Sequence, residues 1–247
     1  MHKPFKVILV FVLLLALAAF RPMLLPEQWT PSTKAELQSS LEKLDKKMRG
    51  LANYEVNVTH LSFEDNTSDI VHDKATGFYR RDQKRYHSLM MGVETIQNEN
   101  IKVVIDTAKK IIAVVNPDAT LEHQGSPELR SIILDRTTSI MKSQQSQSIA
   151  FKIDFSENYS MTSCQLAMFD NSLIKEIVMC YSKKVKNHQG KEVHPKLKIQ
   201  FTGWKEDVKF PAQEFSDAKY VVKEGKQYHL TSAYKNYKLQ DQRFNIK

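Results

Sequence analysis

Three groups of residues in this 247-residue chain are of types that could do chemistry: eight histidines, two cysteines and a cluster of lysines. The histidines are His2, His60, His72, His87, His123, His188, His194 and His229, and no two have a metal-ligand spacing on a predicted helix. His60 and His72 could approach each other across adjacent strands, but two ligands without a third make a weak metal site. No G-x-S-x-G elbow, H-E-x-x-H, Walker loop or G-x-G-x-x-G occurs, and the carboxylates are spread through turns and solvated faces. The residues therefore nominate no nucleophile, no general base, no metal and no cofactor, and the chain reads as a protein that is not an enzyme.

Cys164 and Cys180 lie on two strands that read as a hairpin around Asp170-Asn171. A two-residue turn would place position 164 opposite 177, so a disulfide needs a longer loop or a bulge. Two small half-buried residues is the simpler reading. Lys183, Lys184, Lys186, Lys191, Lys196 and Lys198 gather with His188 and His194 around Gly190, as in a long exposed hairpin loop. Such a loop is a solvated tip, or else a contact for anionic lipid headgroups or an acidic protein partner. Clustered lysines near a membrane contribute about 1 kcal/mol each.

The whole chain carries 36 basic and 28 acidic residues, a net charge of +8. Lys3 and Lys6 precede an uncharged apolar run from Val7 to Phe20, and Ala16-Leu17-Ala18 supplies small residues for cleavage. Residues 1–25 thus read as an export signal, cleaved or retained as an inner-membrane anchor. Without Lys3, Lys6 and Arg21 the basic excess falls to +5, too mild and too dispersed for a nucleic-acid binder. Residues 26–247 read as one domain.

The elements that must position these residues are mainly strands. Thr33 and Glu36 form a capping box, and Leu37, Leu41, Leu44, Met48 and Leu51 make an apolar stripe, which predicts a helix over 33–50. Six short strands follow between Tyr54 and Pro117, joined closely enough to be an antiparallel meander. Ser126-Pro127-Glu128 predicts a second helix over 126–142 with Leu129, Ile132, Ile133 and Ile140 on one face and Arg136 beside them. A polar linker at 143–148 leads to strands at 149–155, 159–169, 172–182 and 197–201, and Gly225 marks one more hairpin in the tail. The two helices would cover the concave face of the sheet. The inward residues on the first meander are expected to be Tyr54, Val56, Val58, Phe78, Ile101, Val103 and Ile105. Those on the later strands are Ile149, Phe151, Ile153, Leu197, Ile199 and Phe201.

The order of helix, meander, helix and second meander resembles the LolA/LolB-like periplasmic lipoprotein carriers. Tyr54-Glu55-Val56, Gly77-Phe78-Tyr79-Arg80, Ile101 to Asp106 and Lys110 to Val115 carry the resemblance, within a match of element order over most of 34–245. Where that family often has Asp-Gly and an aromatic, this chain has Asn98-Glu99-Asn100 and then Val103-Val104, and the 183–198 loop and the long tail are additions. The resemblance implies an unclosed, strongly curved β half-barrel under amphipathic helices, periplasmic, with acyl chains of lipids or lipoproteins in its hollow. The expected lining is that inward set, without Ile149 and Leu197, together with Leu129, Ile133 and Ile140. The alternative is an envelope scaffold or sensor module of the same fold that engages a protein partner and carries no lipid.

Overall fold

Helix α1 (Lys34–Gly50) begins where Thr33 accepts a hydrogen bond from the Glu36 backbone while the Glu36 carboxylate accepts from Thr33 N–H, the capping box read from the sequence. In the computed structural model, which describes residues 28–118, 134–187 and 190–243, α1 lies against one face of a 13-stranded sheet. The first meander comprises β2 (Asn53–Phe63), β3 (Val71–Asp82), β4 (Arg85–Met90), β5 (Val93–Gln97), β6 (Lys102–Asp106) and β7 (Ile111–Val115). Each pairs antiparallel with the next, as the short connections require.

The second set comprises β8 (Thr137–Gln145), β9 (Ser148–Phe155), β10 (Met161–Phe169), β11 (Ile174–Tyr181) and β14 (Lys196–Glu206). Strand β14 returns to pair with β2 and joins the two meanders into one sheet. The outermost strands are β1 (Thr30–Pro31), beside β8, and β17 (Lys238–Asp241), which is parallel to β7. These edges do not pair with each other, so the sheet is open. A sheet this wide curls through the twist of its strands, and α1 sits on the concave, inner side. Two small hairpins lie outside this sheet: β12 (Val185–Lys186) with β13 (Glu192–Val193), and β15 (Val221–Glu224) with β16 (Gln227–Leu230).

The helix expected over 126–142 ends early. Residues 134–136 are helical, but 137–145 form strand β8, turning at Ser146-Gln147 into β9. Ile140 therefore sits opposite Ile153 on a strand, and Ser143 is buried in the ladder where a linker was expected. The run Thr137-Thr138-Ser139-Ile140 has poor helix propensity, and pairing with β9 satisfies its backbone. Leu129 and Ile133 fall outside the described residues, as does the 1–25 segment.

A second correction concerns faces. Val56, Tyr79, Ser88, Thr95, Val104 and Ala113 lie directly opposite one another in turn across β2 to β7. Residues in such a row share a face. The inner face therefore holds Tyr79 and Val104, and the neighbours Phe78, Val103, Ile105 and Ile101 belong to the outer face. A shift of one residue moves every side chain of a strand to the other side.

The Gly77-Phe78-Tyr79-Arg80 motif divides accordingly. A Cβ on Gly77 would sit 1.8 Å from the Leu89 carbonyl oxygen, so only glycine allows β4 to approach there. Phe78 and Arg80 face outward, with the guanidinium 4.3 Å above the Phe78 ring. Tyr79 turns inward.

Candidate functional site

The inner face is built from two apolar clusters bridged by α1. The first half of α1 places the fully buried Leu37, with Leu41 and Leu44, on Ile140, Phe151, Ile153, Phe155, Leu166 and Met168. Its last turn places Met48 and the following Leu51 on Tyr54, Val56 and Val58, beside Ile199 and Phe201. Fully burying a side chain such as Leu37 contributes about 1.5–3 kcal/mol. Lys47 to Glu206 at 2.7 Å and Lys142 to Glu36 at 3.7 Å tie the two ends of the helix to β14 and β8. Of the expected lining, Tyr54, Val56, Val58, Ile140, Phe151, Ile153, Ile199 and Phe201 share this face.

Aromatic rings continue the wall across four strands. Tyr86 stacks on Tyr79 at 5.6 Å, Tyr79 on Tyr54 at 5.7 Å, Tyr54 meets Trp204 at 5.6 Å, and Trp204 meets Phe201 at 6.4 Å. Phe201 and Trp204 are both inward because a bulge at Gly203, with φ of 64°, shifts the register between Thr202 and Lys205. The Trp204 indole N–H donates to the Ile174 carbonyl at 2.9 Å. Burial pushes the Tyr54 phenol well above its ordinary pKa.

Between the two clusters the described residues cover the face incompletely. Strands β11 and β14 are interior strands, hydrogen-bonded on both sides, yet all eight residues of β11 and the first six of β14 are only half buried. Their inward residues are Ile177, Met179, Leu197, Ile199 and Phe201, adjoining Cys164 and Leu166 on β10. This is an apolar strip at the centre of a sheet, accessible from the concave side.

His60 borders that strip. It lies opposite Ile199 on one side and Ala75 on the other, in the inward row Tyr54, Val56, Val58, His60 and Ser62. It is only 7% exposed, and its Nδ1 has no hydrogen-bond partner among the described residues. A buried polar group left unpaired costs about 1–3 kcal/mol. Burial holds the His60 imidazole below its ordinary pKa, which keeps it neutral. His72 is exposed at the start of β3, so the strands do not bring these two histidines face to face. Among the described residues no group of three or more His, Cys, Asp or Glu could hold a metal ion.

The cysteines are free. A turn one residue longer than the minimal two and a bulge between Ala167 and Met168 together place Cys164 opposite Met179 rather than 177, and Cys180 opposite Ser163, so the two lie on opposite faces. Burial pushes the Cys164 thiol up to about 11, which makes it an inert wall residue.

On the outer face the C-terminal segment folds back over β4 to β7. Tyr220, Val221 and Tyr228 cover Ile96, Ile101, Val103, Ile105, Ile112 and Val114. A polar cluster fastens it: Glu214 Oε1 lies 2.8 Å from Arg80 Nη1 and 2.7 Å from His87 Nδ1, and His87 Nε2 lies 2.9 Å from Glu94 Oε1. The Tyr220 hydroxyl donates to the same Glu94 oxygen at 2.7 Å, and Arg80 Nε to Glu55 at 3.0 Å. Hydrogen bonds from His87 above all, then from Tyr220, hold the Glu94 carboxyl below its ordinary pKa. The sequence carried one sign of this cover: β6 and β7 read Val103-Val104-Ile105 and Ile111 to Val115, apolar on both faces, which requires burial on both.

Lys183, Lys184, Lys186 and Lys191 lie exposed on and around the β12–β13 hairpin, next to Val185 at 46% exposed. The β2–β3 loop leans against the base of this tip, with His194 N–H on Asp65 and Lys196 Nζ on Ser68 O and Asp69. Glu64, Asp65, Asp69 and Glu192 offset much of the local positive charge. No described helix is long and apolar enough to cross a membrane.

No family model matches the chain, and no curated protein does. Several solved structures are similar in fold. An uncharacterized conserved protein from Thermus thermophilus is 10% identical with a TM-score of 0.40, over 83% of this chain and 99% of that one. LprF from Mycobacterium bovis is 12% identical with a TM-score of 0.38, over 74% and 98%. A LolA superfamily protein from Nitrosomonas europaea is 10% identical with a TM-score of 0.30, over 73% and 97%. These likenesses bear on the fold alone.

Proposed function

We propose that this protein is a periplasmic carrier that binds the acyl chains of lipids or lipoproteins along the inner face of the sheet, acting by sequestration and without catalysis. In this reading residues 1–25 direct export and 26–247 form the carrier. The observation that carries it is the half-covered strip of Ile177, Met179, Leu197 and Ile199 on two interior strands. Apolar concave walls with few polar groups suit acyl ligands. Each shielded methylene contributes about 0.8 kcal/mol, so ten carbons supply roughly 8 kcal/mol against the costs of association.

Mass spectrometry of organic extracts from protein purified without detergent tests the reading. Acyl lipid should be recovered with wild type and be depleted from Ile199→Glu, which puts a charge into the strip. Lipid-free wild type that also fails to take up a fluorescent fatty-acyl probe would sink it. A second reading, an envelope module that engages a protein partner, draws on the exposed Val185 set among the tip lysines. It predicts a partner that survives a pull-down with wild type and is lost when Lys183, Lys184, Lys186 and Lys191 become Ala. The same four lysines are the proposed contact if the carrier meets an anionic membrane.

A further inference from the structure

We propose that His60 is the polar contact for the head end of the acyl ligand, hydrogen-bonding a neutral ester or hydroxyl group and so setting both the orientation and the class of what is bound. The proposal rests on the acyl-carrier reading and adds to it a residue, a direction and a preference.

The direction follows from the row in which His60 stands. Tyr54, Val56 and Val58 precede it on the inner face and lie deep, beneath the end of α1 and beside the aromatic wall. Ser62, opposite Asp73, follows it toward the β2–β3 loop. On β2 and β3 the face thus changes from apolar to polar past His60, whereas on β14 and β11 Leu197 and Met179, level with Ser62, keep it apolar. A ligand with a tail and a polar head fits that arrangement with its head on the β2–β3 side, toward Ser62 and Asp73, and its tail toward Val56 and across Ile199 and Ile177.

The residue follows from its unmet hydrogen bond. His60 is more than nine-tenths buried between Ile199 and Ala75, with Nδ1 unpartnered among the described residues. A phenylalanine or leucine would fill the position without that penalty, so a histidine here is suited to a partner that arrives from outside the chain. The preference follows from charge. Desolvation favours the neutral ring, which offers one N–H donor and one acceptor nitrogen. An ester carbonyl accepts from it and a glycerol hydroxyl donates to it, whereas a free carboxylate beside a neutral ring would be desolvated without a counter-charge from that ring. The ligand class is therefore an acylglycerol-type neutral ester in preference to a free fatty acid.

The test uses three probes of equal chain length: monooleoylglycerol, oleate and octadecene. With histidine labelled by ¹⁵N, adding monooleoylglycerol should shift the His60 Nδ1 resonance, and octadecene should leave it in place. His60→Phe, which keeps an apolar wall, should weaken monooleoylglycerol about tenfold and leave octadecene unchanged. His60→Gln, which restores a donor and an acceptor, should recover most of the loss. Equal binding of monooleoylglycerol by wild type and His60→Phe, with an unmoved Nδ1 signal, would overturn the proposal while leaving the carrier reading intact. Wild type that binds none of the three probes would overturn the carrier reading, and the proposal with it.

Discussion

On the outer side of β5 to β7 the chain returns after leaving the sheet and lays Tyr220, Val221 and Tyr228 over Val103, Ile105 and Ile112. On the inner side of β11 and β14 the described residues lay nothing comparable over Ile177, Met179 and Ile199. Both surfaces are apolar, and both belong to well-paired strands. One is finished by the protein's own tail and fastened by Arg80, His87, Glu94 and Glu214. The other is left half covered by the described residues, beside a histidine whose Nδ1 has no partner among them. Apolar patterning alone does not mark a binding surface. The informative feature is apolar surface that the fold has the means to cover and leaves accessible.

The contrast can be tested by stability. Phe151→Ala, within the sealed part of the inner cluster, should lose about 3–5 kcal/mol in urea titration, and Ile199→Ala about 1 kcal/mol, because the latter is already part exposed. Equal losses at the two positions would show that the strip is closed core. Gly77→Ala should lose about 2–4 kcal/mol by forcing Leu89 away, with the β3–β4 amides exchanging faster in hydrogen-exchange measurements.

Glu94→Gln should cost about 1–3 kcal/mol by weakening charge-assisted bonds from His87 and Tyr220, and should loosen the tail without reducing acyl-probe uptake. The pH dependence has a definite sign. Glu94 and Glu55 have folded pKa values below their ordinary 4.5, so their contribution to stability is present above that value. It is lost as pH falls through the folded values. The acid limb of a stability–pH curve should therefore be shallower in Glu94→Gln. Replacing Lys183, Lys184, Lys186 and Lys191 by Ala should change stability by under about 0.5 kcal/mol and leave acyl-probe affinity unaltered, with any effect confined to surface binding. A large effect on acyl affinity would make the tip part of the site.

Much of the fold was legible because short-range signals were strong. Thr33 and Glu36 marked the helix start, and the alternation of Tyr54 to His60 and of Ile149 to Phe155 marked half-buried strands. The turns at Asp170-Asn171 and Gly225 marked hairpins. Residues 137–142 misled because Leu129, Ile133 and Ile140 coincide with a helical period, whereas Thr137 to Ile140 are better strand formers. The parallel strand β17 left no local trace, since its partner β7 lies more than a hundred residues earlier.

For the inner face, Tyr54, Val56, Val58, Phe151, Ile153, Ile199 and Phe201 could be named from alternation, and Phe78, Ile101, Val103 and Ile105 were assigned to the wrong side by the same rule. Alternation divides each strand into two sets of residues. Which set of one strand joins which set of the next is decided by turn length and bulges. Helix α1 with its apolar stripe and most of the strands could be read locally, because they depend on neighbours within a few residues. That the sheet has two apolar faces, that the tail covers one of them, and that His60 Nδ1 beside the other has no partner among the described residues became visible in the assembled fold alone. Those depend on register accumulated across thirteen strands, where a shift of one residue exchanges inside for outside.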